Sequence, residues 1–136
     1  MKRPTAPLVS AAIAVIERRG RYLISRRRAH AHLGGLWEFP GGKRLAGESW
    51  QACVRREVRE ELGVKISCVR RWAPLRFAYP DRQVHLELFR CRIVRGRPRA
   101  QDGQAIRWVT SAQLARLRVP PANDPLVRRL VRASHA

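Results

Sequence analysis

The sequence predicts an α/β fold, a mixed sheet with helices packed on its faces. Three observations carry this. Two apolar segments near the N-terminus read as strands, a helix-periodic segment sits in the middle, and further strand segments follow before two short helices close the chain. The 136 residues suit one domain spanning 1–136.

The elements follow in order. Residues 7–16 and 21–27 read as a strand pair, with Gly20 near the turn. The glycine-rich segment 29–49 reads mostly as loop. Residues 50–62 read as a helix, because Val54, Val58 and Leu62 form an apolar stripe and Gly63 stands where helices stop in a left-handed conformation. Residues 65–76 and 82–94 read as strands, the second alternating as Val84, Leu86 and Leu88, with Tyr79-Pro80-Asp81 as the turn. Residues 95–103 are a loop and 104–109 a short strand. Thr110 or Ser111 can cap a short helix through Leu117, with Gln113 placed for a capping box on Thr110. Pro120-Pro121 breaks the chain, and a last helix runs from about Pro125 to Ala133, capped by Asn123 or Asp124.

Composition narrows the function classes. Lys2 and Arg3 before the apolar run 6–16 superficially resemble a secretory leader, but the run passes through Glu17-Arg18-Arg19-Gly20-Arg21 into Tyr22-Leu23-Ile24, as a hairpin does. No apolar stretch is long enough to span a membrane. Cys53, Cys68 and Cys91 have neither zinc-ligand nor redox-motif spacing and read as free thiols in a reducing cytoplasm. The net charge of +19 favours anionic partners. Its arginines are scattered and outnumber lysine heavily, a ratio that codon bias also produces, so small nucleotides drawn by the field are expected rather than a stable nucleic-acid partner. A cytoplasmic monomer is the expectation.

The ten acidic residues are unevenly placed: Glu48, Glu57, Glu60 and Glu61 lie within 14 positions. On a helix, 57, 60 and 61 share an arc of roughly 100°. Anions crowded on one face repel. A hard divalent cation offsets that cost, and surface pairing with Arg55, Arg56 and Arg59 is the competing explanation. Glu57 and Glu61 flank the apolar stripe, which puts them at the core edge. Upstream, Phe39-Pro40-Gly41-Gly42-Lys43 is a tight loop whose backbone can approach an ion or phosphate closely.

Together these residues resemble the Nudix box. Gly42 is followed after five residues by Glu48, and after seven more by Arg56-Glu57-Val58, Arg59, Glu60-Glu61, Leu62, Gly63 and Val64. The chain is further similar to the MutT branch of that family, the 8-oxo-dGTP diphosphatases. That likeness is carried by Ser25-Arg26-Arg27, Leu36-Trp37-Glu38-Phe39-Pro40-Gly41-Gly42-Lys43, Tyr79-Pro80-Asp81-Arg82 and Pro120-Pro121-Ala122-Asn123-Asp124-Pro125.

The resemblance implies a Nudix fold, an α/β/α sandwich with the box as loop-helix-loop. It implies Mg²⁺, with Mn²⁺ able to substitute, held by Glu57, Glu60 and Glu61 with the Gly41 carbonyl. Arg56 would orient the glutamates and Glu48 brace the loop. Asn123 would read the purine edge, and Arg27, Phe39, Lys43, Tyr79 and Arg82 would line the nucleotide pocket. Asp102 sits where the branch usually has a glutamate that binds metal or acts as base, and its shorter reach leaves that role open. The implied reaction is hydrolysis at the β-phosphorus, releasing a nucleoside monophosphate and pyrophosphate, with Glu57 and Asp102 as candidate general bases. The box is silent on the nucleobase, so a pyrophosphatase for CTP or other (d)NTPs is the first alternative. A non-catalytic module that binds nucleotides or oxidised DNA is the second.

Overall fold

Strand β1 (Leu8–Arg18) is buried on both faces from Ala11 to Ile16, and its two faces serve different cores. In the computed structural model, which describes residues 7–27, 35–101 and 105–134, Ala11, Ile13 and Val15 pack with Ile24, Phe39, Leu88, Leu126 and Leu130. Ala12, Ala14 and Ile16 face the other way, onto Val54, Val58, Leu62 and Phe89. Side chains of a strand alternate between faces, so a strand covered on both sides reads as an unbroken apolar run. The unbroken apolar run 11–16 within the leader-like stretch is explained by this double burial.

The remaining elements are β2 (Arg21–Arg26), β3 (Trp37–Glu38), β4 (Gly41–Lys43), α1 (Trp50–Leu62), β5 (Lys65–Tyr79), β6 (Arg82–Arg95), β7 (Ile106–Val109), α2 (Ser111–Leu114), a 3-10 turn (Pro121–Asn123) and α3 (Asp124–Ser134). Strand order is β3-β2-β1-β6-β5, with β4 on β1 and β7 on β2. Among the described residues only β1 and β6 run parallel, from Leu8 opposite Gln83 to Ile16 opposite Cys91, so the sheet is mixed. Helix α1 covers one face, and α2 and α3 supply the core of the other. The layers are those of an α/β/α sandwich.

Several elements differ from expectation in instructive ways. The first hairpin exists, with Arg19 and Gly20 both at positive φ (51° and 74°), which suits a tight two-residue turn. Yet β1 pairs with β2 only at Glu17–Tyr22 and Arg18–Arg21, and gives the rest of its length to β6 and β4. The expected loop 29–49 contains two short strands, β3 and β4. Local pattern does not specify them; their partners on β2 and β1 do. Strand β5 runs on to Tyr79, three residues past the expected end. Helix α2 stops at Leu114, although its capping box is present: the Gln113 amide donates to Thr110 Oγ1 (3.2 Å) and the Thr110 amide to Gln113 Oε1 (2.9 Å). Asp102 lies outside the described residues.

Candidate functional site

Helix α1 is fixed at both ends by its sequence. Ser49 Oγ accepts from the Ala52 amide at 3.1 Å, and Gly63 (φ 70°) donates its amide to the Arg59 carbonyl at 2.9 Å. Cys53, Val54, Val58 and Leu62 are buried against the sheet. That orientation leaves Glu57 and Glu61 half-buried at the helix edge and Glu60 exposed.

One guanidinium organises this edge. Arg56 Nε and Nη2 donate to the two oxygens of Glu48 at 2.7 and 3.0 Å, Nη1 to Glu57 Oε1 at 2.8 Å and to Glu60 Oε2 at 3.3 Å, and Nη2 also to the Lys43 carbonyl at 3.0 Å. The two-point Arg56–Glu48 contact is the geometry that the planar guanidinium favours. Glu48 accepts in addition from the Leu45 amide at 3.0 Å, closing the loop between β4 and α1. These bonds to Arg56, then to Leu45, pull the Glu48 pKa down to about 2, and the same pairing pushes that of Arg56 up.

The glycines of β4 bring backbone onto the carboxylates. The Gly41 amide donates to Glu61 Oε2 at 3.3 Å. Gly41 has φ 150°, and a Cβ there would collide with the Ala12 carbonyl of β1. At Gly42 a Cβ would run into the Glu57 carboxylate. The two glycines thus let α1 and β1 close on β4, with Glu57 and Glu61 lying over it.

On the α3 side of the sheet, β4 borders a cleft of about 410 Å³. Arg27, Phe39, Lys43, Tyr79, Arg82 and Asn123 all line it, and Ala11, Ile13 and Leu86 contribute apolar wall. Segments far apart in sequence are therefore brought to one place. The Tyr79 hydroxyl accepts from the Ala122 amide at 3.1 Å and ties the end of β5 to the 3-10 turn that carries Asn123. Phe39 belongs to the core, with only 1% of its surface exposed, and forms wall. Arg82 bonds Asp81 at 3.1 Å. Asn123 is 5% exposed, and among the described residues its side-chain amide makes no hydrogen bond. A buried amide left unpaired costs about 1–3 kcal/mol, so its presence in a cleft wall points to a ligand that pairs with it.

Sequence reading missed the charged cleft residue Glu38. Glu38 joins Arg27 across β3 and β2, Arg27 Nη1 to Glu38 Oε2 at 2.6 Å. Burial pushes the Glu38 carboxyl up and Arg27 partly offsets it. A lone acid beside Phe39 in a chain rich in arginine was the available clue. Also unforeseen is Glu87, 7% exposed on the α1 face of β6, bonded to Arg71 (3.0 Å) and His85 (2.8 Å). It is a charge within a strand whose neighbours Leu86 and Leu88 face the other core.

The donor chemistry of Glu57, Glu60 and Glu61, all hard oxygens on one helix edge, fits a hard divalent cation. Among the described residues no three His, Cys, Asp or Glu side chains stand grouped to hold a metal ion; Arg56 Nη1 holds Glu57 and Glu60, and the Gly41 amide bonds Glu61. Gly41, Gly42 and Lys43 border both features, so the carboxylate edge and the cleft meet along β4.

The chain is similar to known proteins in sequence and in fold. A family model described as NUDIX domain matches residues 11–129. The 8-oxo-dGTP diphosphatase of Escherichia coli K12 is 35% identical over 109 residues, which cover 80% of this chain and 84% of that protein. The CTP pyrophosphohydrolase of the same organism is 32% identical over 120 residues, covering 88% and 89%. The solution structure of the E. coli ORF135 protein superposes with a TM-score of 0.78 at 30% identity, covering 95% of this chain and 94% of that one.

Proposed function

From the premise that the chain belongs to the Nudix hydrolase family, we propose that it is a divalent-metal-dependent nucleoside triphosphate pyrophosphohydrolase acting on an oxidised purine, 8-oxo-dGTP, and releasing 8-oxo-dGMP and pyrophosphate. The observation that carries the purine reading is the buried amide of Asn123 in the cleft wall, which has no hydrogen-bond partner among the described residues. An amide offers both a donor and an acceptor, which matches guanine O6 together with the N7–H that oxidation creates. Unmodified guanine presents an acceptor at N7, and the same amide then leaves one group unmatched.

In this reading the nucleoside lies in the cleft among Arg27, Tyr79, Arg82 and Asn123, and the phosphate chain runs along Gly41–Lys43 toward α1. Glu57, Glu60 and Glu61, with the Gly41 carbonyl, would hold Mg²⁺, or Mn²⁺ in its place. The metal, when bound, neutralises the phosphate chain and stabilises charge on the leaving group. Arg56 holds Glu57 and Glu60 in position while Glu48 anchors Arg56. Lys43 meets the phosphates. Glu57 and Asp102 are the candidates to take the proton from the attacking water. The substrate is a small nucleotide, and the protein acts as a cytoplasmic monomer without a stable nucleic-acid partner.

A second reading, CTP as substrate, is favoured by the 32% identity to the CTP pyrophosphohydrolase over 88% of the chain. Pyrophosphate release with magnesium, measured as kcat/KM for 8-oxo-dGTP, dGTP and CTP, separates the two. Preference for 8-oxo-dGTP over dGTP by at least about 100-fold is expected, the scale on which a buried polar group rejects a mismatched partner. Equal values for those two would remove the oxidised-purine reading, and a preference for CTP would replace it.

A further inference from the structure

Cys68 on β5 and Cys91 on β6 are directly opposed in antiparallel register. Directly opposed residues of an antiparallel pair have Cα atoms about 4.5 or about 5.5 Å apart. Both spacings fall inside the roughly 4.4–6.8 Å range that disulfides span. Opposed side chains also leave the sheet on the same face. Here that is the face under α1: Cys91 belongs to the core cluster beneath the helix, and Cys68 packs against it. Both thiols are free.

The two differ in exposure and surroundings. Cys91 is 2% exposed, whereas Cys68 is half-buried and open to a small reagent. Cys91 and the Arg55 guanidinium of α1 are the neighbours that act on the Cys68 thiol. A neighbouring donor and a guanidinium stabilise a thiolate, so Cys68 ionises more readily than an ordinary cysteine, while Cys91 is held protonated chiefly by its neighbour. Cys91 Sγ donates to the Phe89 carbonyl at 3.5 Å.

We propose that Cys68 and Cys91 form a reversible oxidation site, with Cys68 attacking a peroxide and Cys91 closing the disulfide. The Cys68 thiolate attacks one peroxide oxygen, the O–O bond breaks, and hydroxide leaves to take up a proton as water. Cys68 is now a sulfenic acid, two electrons oxidised. Loss of the Cys68 anion removes the main influence that kept Cys91 protonated. Cys91 then gives up its proton and its sulfur attacks that of Cys68; the S–O bond breaks and water leaves. Overall, two thiols and one hydrogen peroxide give one disulfide and two waters. The bond joins β5 to β6 beneath the helix that bears the three glutamates, and a dithiol reverses it.

The test treats the full chain with hydrogen peroxide at neutral pH, blocks remaining thiols, and maps peptides by mass spectrometry. A Cys68–Cys91 cross-linked peptide, an intact mass lowered by two hydrogens and reversal by dithiothreitol are expected. Cys53, fully buried on the inner face of α1, serves as internal control and stays reduced. In Cys91→Ser, Cys68 should accumulate as a sulfenic acid that dimedone captures. In Cys68→Ser, Cys91 should stay reduced at the same dose. Absence of the cross-linked peptide in the wild-type chain once Cys68 has been consumed overturns the proposal, as does oxidation of Cys53 at an equal rate. The wild-type map decides even if a variant does not fold.

Discussion

Arg56 grips Glu48 at two points, Nε to Oε2 at 2.7 Å and Nη2 to Oε1 at 3.0 Å, while Nη1 of the same guanidinium reaches Glu57 and Glu60. A planar fork can serve these partners together, and an ammonium cannot. Arg56→Lys should therefore keep the charge but lose the arrangement. Under the proposed mechanism kcat/KM should fall by about 100-fold, the usual effect of misplacing a reacting group by about 1 Å. Steady-state pyrophosphate release measures it. Near-normal activity in the lysine variant would show that the fork is not what positions Glu57.

The same contact predicts an acid response. Glu48 has a folded-state pKa near 2 against an ordinary value of 4.5. A carboxyl whose pKa is depressed by folding contributes its stability above the unfolded value, and that contribution is lost as pH falls through the folded value. Glu48→Gln should therefore have a lower Tm than wild type near neutral pH, and the gap should close as pH falls from about 4.5 toward about 2. Thermal unfolding of both proteins across that window checks the sign. A gap that widens with acid would contradict it.

Glu57 lies half-buried at the helix edge, with one oxygen on Arg56 and its carboxylate against Gly42. As a proposed metal ligand and candidate base it should be sensitive to loss of charge without loss of shape. Glu57→Gln should lower turnover at least ~100-fold, in line with the usual size of acid–base effects. Turnover close to wild type at saturating magnesium would remove Glu57 from the mechanism.

Adjacent glycines should fail in different ways. A Cβ at Gly42 meets the end of a flexible side chain, Glu57, which can swing aside. Gly42→Ala should thus fold nearly normally and lose activity by about 10- to 100-fold, through displacement of Glu57. A Cβ at Gly41 meets backbone, the Ala12 carbonyl, at a φ of 150° that side-chain-bearing residues rarely adopt. Gly41→Ala should destabilise the fold by on the order of 2–4 kcal/mol, the scale of severe backbone strain or overpacking. Denaturant unfolding and kcat measured on both variants give the contrast. Equal losses of stability would refute the distinction.

How much of this was legible in the chain depends on whether the information is local. Helix α1 begins at Trp50 and ends at Leu62 as its apolar periodicity and Gly63 indicate, because stripe and stop signal lie within one segment. The capping box of α2 was readable for the same reason. The parallel pairing of β1 with β6 was not, since two apolar runs 75 positions apart, as Leu8 and Gln83 begin to show, carry no mark of their register. Strands β3 and β4 are short, and their pairing is imposed by neighbours. The six expected cleft residues do converge, yet Glu38, paired with Arg27, escaped notice because an isolated acid has no pattern. Cys68 and Cys91 read as unrelated for the same reason: spacing motifs report neighbours in sequence, and these two are neighbours only across a sheet.

Asn123 offers the clearest separation of stability from function. Its amide is buried at 5% exposure, lines the cleft, and among the described residues has no hydrogen-bond partner. In the free protein such a group is a cost, so removing it should not weaken the fold. Asn123→Ala should leave Tm unchanged or raise it slightly, corresponding to at most about 1–3 kcal/mol. In the complex the same group would supply paired hydrogen bonds that distinguish an oxidised from an unmodified guanine. The preference for 8-oxo-dGTP over dGTP in kcat/KM should therefore shrink by about 10- to 100-fold, while hydrolysis of the disfavoured nucleotide changes little. If Asn123 served only the start of α3, the variant would lose stability by about 1 kcal/mol, the typical value of an N-cap, and keep its preference. Measuring Tm and the two kcat/KM values on one preparation distinguishes the roles, because each predicts the opposite movement in both.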